Sequence, residues 1–410
     1  MSKTQDYPTV EWKNIPWQKL ERVVFKLQKR IYKASQLGDV KAVRKLQKTL
    51  LKSWSAKCVA VQLVNTQAEK TTSKDLALQA LVKLAIEPEW QAKFAAHPGR
   101  LRPGKSPQDA IAQISQAIEQ KPKYVLTAEI ADFDNINHQV LLQKLNTFPS
   151  ICRLMKAWLK AGLMEGKKLV QISSNLSWLL LNIALDGIEQ PIEQAYLEDT
   201  PELIIYGNQF VVLHQQISAL QRCRELISEW LQTIGLSFRV SKTRLSHTLT
   251  RFNSQIGFDF LGFHIQQYKS RERQKGYQTR ITPSSSQPKK HYRRLVSIIN
   301  THKSAPQQVL IGRLNPVIQE WVNYYSPQVS KKTLAHLDHL LFLKLITWAK
   351  RRHPKKSRTW VSNKYWQSIS SHKKLFASKY EGENSWQLIR HAQSKAVGSL
   401  ILAANHRGAG

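Results

Sequence analysis

Leu203-Ile204-Ile205-Tyr206-Gly207-Asn208-Gln209-Phe210-Val211-Val212-Leu213 reads as two short apolar strands meeting at a tight polar turn. A β-turn-β of this kind presents its tip residues side by side, away from the buried strands. With carboxylates at the tip it would hold divalent cations. Here the tip is Asn208-Gln209. Mg²⁺ takes hard anionic oxygen ligands, and neutral amides supply none of the charge that holds two cations together.

Working outward, 410 residues are enough for two or three domains with their own cores. Lys and Arg number 62 against 28 Asp and Glu, a formal net charge of +34. Such an excess calls for a polyanionic partner, nucleic acid before a membrane surface. The longest apolar run, Trp178 to Leu185, is interrupted by Asn182 and is far short of a membrane span. The polar start Met1-Ser-Lys-Thr-Gln-Asp6 has no apolar signal region, so a cytoplasmic protein is expected. Cys58, Cys152 and Cys223 form no CxxC pair, which argues against a cysteine-based zinc site or a disulfide framework and for buried thiols.

Leu20, Val24, Leu27 and Ile31 recur at helical spacing, with Arg22, Lys26, Lys29, Arg30 and Lys33 on the other faces. Gly38-Asp39 reads as a stop followed by an N-cap, and Val43, Leu46 and Leu50 open a second stripe. The pair is either an RNA-contacting surface or a solvated helical hairpin. Helical pattern from Leu76 to Ala117 is broken at His97-Pro98-Gly99 and at Arg102-Pro103-Gly104-Lys105, a basic turn that suits a phosphate or an ordinary loop. Tyr124 to Ile130 has strand character and leads through Asp132-Phe133-Asp134 into a helix expected from Gln139 to about Gly162. A carboxylate at such a strand end serves metals in phosphoryl transfer, though N-caps and salt bridges are the commoner use.

In fixed order, these motifs resemble group II intron-encoded proteins, the reverse transcriptase/maturase family, from Trp12 to about Trp366. Trp17–Ala34, with Lys29 and Arg30, is similar to the N-terminal RNA-contacting segment; Glu87-Pro88-Glu89-Trp90 with Phe94, then Arg102–Ser106 with Lys105, to the stretch before the palm. Phe133–His138 with Leu142, then Asn182–Gly187 with Glu189, resemble palm motifs, as do Lys242-Thr243-Arg244 and Gly257–Phe263. Departures cluster where polymerase chemistry would sit. Glu129 replaces an Asp, and one residue is missing before Phe133. Leu169–Ser174, with Val170 and Ile172, replaces a Gly-Thr-Pro-Gln-Gly-Gly segment, and Tyr206–Gln209 replaces Tyr-Ala-Asp-Asp. The resemblance with these losses implies no catalytic residue, the degenerate positions being Glu129, Asn208 and Gln209, and no metal or cofactor at the palm. Mg²⁺ would serve the intron RNA instead.

Gln266–Gln287 is polar, a linker or an exposed hairpin. Beyond it Lys289, Lys290, Arg293 and Arg294 begin a basic helical region. Leu314-Asn315-Pro316, Trp321, Asn323-Tyr324-Tyr325 and Trp348–Trp366 resemble the maturase (thumb-like) domain. Trp321 and Tyr325, four apart, read as core. Lys350, Arg351, Arg352, His353, Lys355 and Lys356 crowd like charge that a polyanion would offset, and Trp360 follows for base stacking. No cysteine follows Cys223, so an endonuclease segment with paired Cys and His is not expected; Trp386, Ile389 and His391 give the tail helical patches.

The expected architecture is α+β: basic N-terminal helices (1–75), a right-hand reverse-transcriptase-like fingers/palm (76–265), the polar segment (266–288), an α-helical maturase domain (289–370) and a tail (371–410). The expected function is a non-enzymatic RNA-binding maturase that stabilises folded group II intron RNA. A general structured-RNA-binding protein and a residual RNA-directed DNA polymerase are the alternatives.

Overall fold

The computed structural model describes residues 15–65, 73–95, 106–131, 133–163, 175–253, 255–270, 276–326, 328–370, 373–378 and 386–393. Trp12, Arg102, Lys105, Asp132, the Leu169–Ser174 segment and the tail beyond Gln393 lie outside these. The chain divides into two compact units: Met1–Phe258 with Lys269–Tyr277, and Asp259–Tyr268 with Gln278–Gly410. Asp259–Tyr268 therefore folds with the C-terminal unit.

In the first unit α1 (Trp17–Gln36), α2 (Val40–Lys52), α3 (Trp54–Asn65) and α4 (Ser73–Phe94) share one apolar cluster containing Leu20, Val24, Ile31, Val43, Leu50 and Leu81. The break between α1 and α2 has a local cause. Gly38 takes φ +69°, and the Asp39 side chain accepts from the Ala42 N–H at 2.9 Å. After α5 (Pro107–Ala117) come β1 (Tyr124–Ala131), α6 (His138–Leu145) and α7 (Pro149–Lys160). The single helix expected from Gln139 to Gly162 is two. Asn146 turns left-handed at φ 39°, and Pro149 then starts a new helix where its missing N–H costs nothing.

Next in order come α8 (Asn175–Ala184), α9 (Gln190–Ala195), β2 (Glu202–Tyr206), β3 (Gln209–His214), α10 (Ile217–Thr233), β4 (Ser237–Phe238) and β5 (Arg244–His247). The sheet runs β2-β3-β1-β4, with β5 also pairing β1. Residues 210–214 of β3 are all buried, so both faces of the strand are covered and its sequence shows no alternation. Leu126, Ile130, Phe210 and Val212 from the sheet meet Leu180 and Ile183 of α8 and Leu220, Cys223 and Ile227 of α10. Burial pushes the Cys223 thiol up to about 11. Cys58 and Cys152, expected to be buried too, are only half-buried.

The second unit contains most of the sheet β6-β7-β8, formed by Phe258–Phe260, Phe263–Lys269 and Tyr277–Pro283. Thus much of the polar 266–288 stretch is strand. Gly262 at φ +80° is required by packing as well, since a Cβ there would lie 2.6 Å from the Tyr325 hydroxyl. Four helices follow: α11 (Ser286–Thr301), α12 (Gln307–Tyr325), α13 (Lys331–Arg352) and α14 (Arg358–Tyr365). Trp321 and Tyr325 are core residues. The unit is not purely helical, because β9 (Trp366–Ser370), β10 (Lys373–Ser378) and β11 (Trp386–Gln387) form a second three-stranded sheet. Trp386, assigned to a helical patch on sequence, is therefore a strand residue.

Asn315 holds residues 387–389 from both sides, donating to the Gln387 carbonyl at 2.8 Å and accepting from the Ile389 N–H at 2.9 Å. His391 is fully buried, with Nδ1 2.7 Å from Asp338 Oδ1 and Nε2 2.9 Å from His291 Nε2. His291 stacks on Trp321 at 4.9 Å. Burial, helped by His391 and Arg294, lowers the His291 pKa to about 3. The unfolded ring takes up its proton below about pH 6.5, whereas the folded ring does not. Stability is therefore full above that pH and declines toward pH 3. We expect a loss of about 2 kcal/mol from this group by pH 5. Melting curves at graded pH check it: His291→Asn should flatten the acid-side decline, and an unchanged decline would count against this origin.

Candidate nucleic-acid interface

The hairpin β2–β3 closes through Gly207-Asn208, with glycine at φ +62° in the first central position, as a type II′ turn requires. Antiparallel pairing of β1 with β3 sets Glu129 opposite Gln209, and the Asn208 carbonyl accepts from the Ile130 N–H at 2.7 Å. The three degenerate positions are thus neighbours at one sheet end. Opposed residues on antiparallel strands share a face, so Glu129 stands beside an amide rather than a second carboxylate. Its own carboxylate meets a fixed cation: Arg239 Nη1 lies 2.8 Å from Glu129 Oε1, and the Arg239 N–H donates to the Glu129 carbonyl at 2.8 Å.

Trp178 of α8 occupies the space beside the turn. A Cβ on residue 207 would sit 2.8 Å from its ring. The alanine of a Tyr-Ala-Asp-Asp turn therefore does not fit here without moving the indole. Among the described residues no cluster of three His, Cys, Asp or Glu is placed to hold a metal ion. Neither Arg239 nor Trp178 stood out in the sequence, because neither lies in a palm motif; the pairing of strands brings them in.

The basic residues fall into separate places. On α1, Lys29 and Arg30 are exposed. Phe25, missed on sequence, is 65% exposed on the same helix, with Arg22 and Lys29 one turn to either side. The available signal was an aromatic residue lying off the apolar stripe. Lys242, between β4 and β5, and Arg244, the first residue of β5, are exposed. On α11, Lys289, Lys290, Arg293 and Arg294 face outward while His291, Leu295 and Ile299 are buried; Arg294 pairs with Glu320 at 3.0 Å.

The densest group surrounds the end of α13. Lys350, Arg351, Lys355 and Lys356 are exposed. Trp360, 38% exposed, has Lys356 Nζ at 5.4 Å and Lys364 Nζ at 5.0 Å from its ring centre. Ser357 caps α14 by accepting from the Trp360 N–H at 3.2 Å, which sets the direction in which the helix starts. Two members of the basic run have structural work instead. Arg352 donates to the Ala305 and Lys303 carbonyls at 2.7 and 3.2 Å and lies over Trp348. His353 Nε2 is 2.9 Å from the Tyr365 hydroxyl. Desolvation, reinforced by Lys364, Arg352 and Lys356, holds its pKa below the ordinary imidazole value, so it adds little positive charge at neutral pH. Arg352 Nη1 and His353 Nε2 thus have protein partners that a phosphate would have to displace.

No helix among the described residues is long and apolar enough to cross a membrane. Three family models match the chain in succession: the N-terminal domain of reverse transcriptase over residues 12–80, reverse transcriptase (RNA-dependent DNA polymerase) over 70–265, and the group II intron maturase-specific domain over 288–366. Maturase-like protein 1 of Euglena longa is 26% identical over 388 residues, covering 76% of this chain and 77% of the relative. Its Euglena gracilis counterpart is 24% identical, with 77% of each chain covered. Two structures of telomerase from Candida tropicalis, one of them with a fragment of telomeric RNA, are similar to 72% of this chain at 12% identity and a TM-score of 0.34. The chain spans 51% and 60% of those two telomerase chains. With the three domains matched in order from residue 12 to residue 366, the chain belongs to the reverse transcriptase/maturase family of group II introns.

Proposed function

We propose that this protein is an RNA-binding splicing maturase that stabilises folded group II-type intron RNA, and that it does not polymerise DNA. The observation that carries the proposal is the run of exposed Lys350, Arg351, Lys355 and Lys356 leading to Trp360, whose ring has Lys356 and Lys364 over it, inside the segment matching the group II maturase-specific domain. Lysine and arginine neutralise phosphates and release counterions, and an exposed indole stacks on unpaired bases. Such a surface offsets phosphate repulsion as intron domains close on one another. The protein contributes no reacting group; transesterification belongs to the RNA and its Mg²⁺. Crosslinking in the native cell, followed by sequencing of the attached RNA, tests this. Strong enrichment of group II intron sequence is expected, and reads scattered over transfer, ribosomal and messenger RNA would overturn the splicing role.

Loss of polymerisation has its own support in the Glu129–Arg239 ion pair and the Trp178 ring at Gly207. A guanidinium beside the remaining carboxylate repels a divalent cation. Restoring charge at the turn alone should therefore be insufficient. We expect the Asn208→Asp/Gln209→Asp variant to show no template-dependent primer extension with Mg²⁺ or Mn²⁺. Processive product from the wild-type protein would refute the loss of activity.

A further inference from the structure

In the C-terminal unit a cavity of about 720 Å³ opens between α13, α14 and the sheet β9-β10-β11. None of its lining residues belongs to the Lys350–Trp360 group. We infer that this cavity receives one unstacked nucleobase of a bound RNA, with the ring against Phe342 and the flanking phosphates on Lys374 and Arg390. The inference rests on the RNA-binding reading and specifies a site that the basic surface alone does not supply.

Size, chemistry and charge agree on this occupant. The volume falls in the roughly 300–1,000 Å³ range of sites for small ligands, of which one base with its sugar is an example. Phe342 is 37% exposed, and its ring packs edge-on to Trp366 at 5.5 Å. A stacking surface is therefore present and braced from behind. Ser362 and His339 also line the cavity and offer hydrogen-bond groups to a base edge.

The cations at the rim are held in place. Lys374 Nζ donates to Asn363 Oδ1 at 2.8 Å, and Arg390 Nη2 donates to the Lys374 carbonyl at 2.9 Å. Asp338, the carboxylate among the lining residues, is engaged by the His391 ring at 2.7 Å and by the His391 and Ala392 N–H groups at 2.9 and 3.3 Å. Its charge is turned toward protein donors, so the rim presents net positive charge outward. An apolar peptide would need no such rim.

The test is fluorescence anisotropy with the full-length protein and a labelled, short, single-stranded oligoribonucleotide of mixed sequence. Phe342→Ala removes the stacking ring, and Ala335→Trp fills the cavity without deleting a contact. Both are expected to weaken binding by roughly 5- to 100-fold, as loss of one base stack does. Unchanged affinity in both variants, while neutralising Lys355 and Lys356 still lowers it, would overturn the cavity site and leave the RNA-binding reading intact. Failure of the wild-type protein to bind RNA would overturn both. A lowered melting temperature of RNA-free Ala335→Trp protein with unaltered RNA affinity would mean that the protein's own chain fills the cavity, and would also overturn the proposal.

Discussion

Replacing Glu89 with alanine is expected to destabilise the N-terminal unit by about 3 kcal/mol. The Glu89 side chain is 7% exposed and organises three donors from two helices. Arg44 Nη1 lies at 2.6 Å, Gln47 Nε2 at 2.8 Å and Lys93 Nζ at 2.9 Å. Lys93 is 41% exposed and contributes little, because water screens it. Arg44 is different. Its side chain is 18% exposed, and without the carboxylate its charge stays largely desolvated beside Gln47 and the Asn146 carbonyl. An uncompensated, mostly buried charge dominates the cost and outweighs the lost hydrogen bonds themselves. For a unit of this size the melting temperature should drop by roughly 6–12 °C in a circular-dichroism scan. The double variant Glu89→Met/Arg44→Met removes both charges and should recover most of the loss. A double variant as unstable as Glu89→Ala would show that the energetics lie elsewhere in the helix contact.

Neutralising Lys350, Arg351, Lys355 and Lys356 together as glutamine should have the largest effect on RNA binding. Four phosphate contacts contribute about 3 to the slope of log affinity against log salt. Extrapolated from molar salt, that corresponds to about 100-fold in affinity near 0.2 M salt. Trp360→Ala should also weaken binding, by about 1–3 kcal/mol, but with the slope retained, since stacking releases no counterions. Arg352→Gln provides the contrast. Its guanidinium holds the Lys303 and Ala305 carbonyls, so the variant should lose thermal stability before it loses the salt slope. Titrations at several salt concentrations distinguish the three. A quadruple variant with an unaltered slope would remove this surface from the interface.

Much of the local structure was legible because its causes are local. The β2–β3 hairpin follows from two apolar runs and a glycine at the only turn position that demands positive φ. The α1–α2 break follows from Gly38 and the Asp39 cap, within four residues of chain. The Gln139–Gly162 error came from periodicity that continues through Asn146 although the backbone does not. The tail misreading has the opposite cause. Trp386 is in a strand because β10 offers it a ladder, and strand pairing is a property of the partner as much as of the segment.

The sequence alone determined the family's domain order, the large net positive charge, and the absence of paired aspartates at the palm turn. Those are properties of residue identity and of short-range pattern. Tertiary structure alone decided what each charge does. It joined Glu129 to Arg239, 110 positions on, and laid Trp178 against Gly207. It also drew Arg352 and His353 out of a run of cations that looks uniform in one dimension. Coulomb energy and desolvation depend on which groups come within a few ångströms and on how much water remains between them. Distance along the chain carries neither quantity, so equal charges in one heptapeptide end as a helix brace and as an exposed cationic surface.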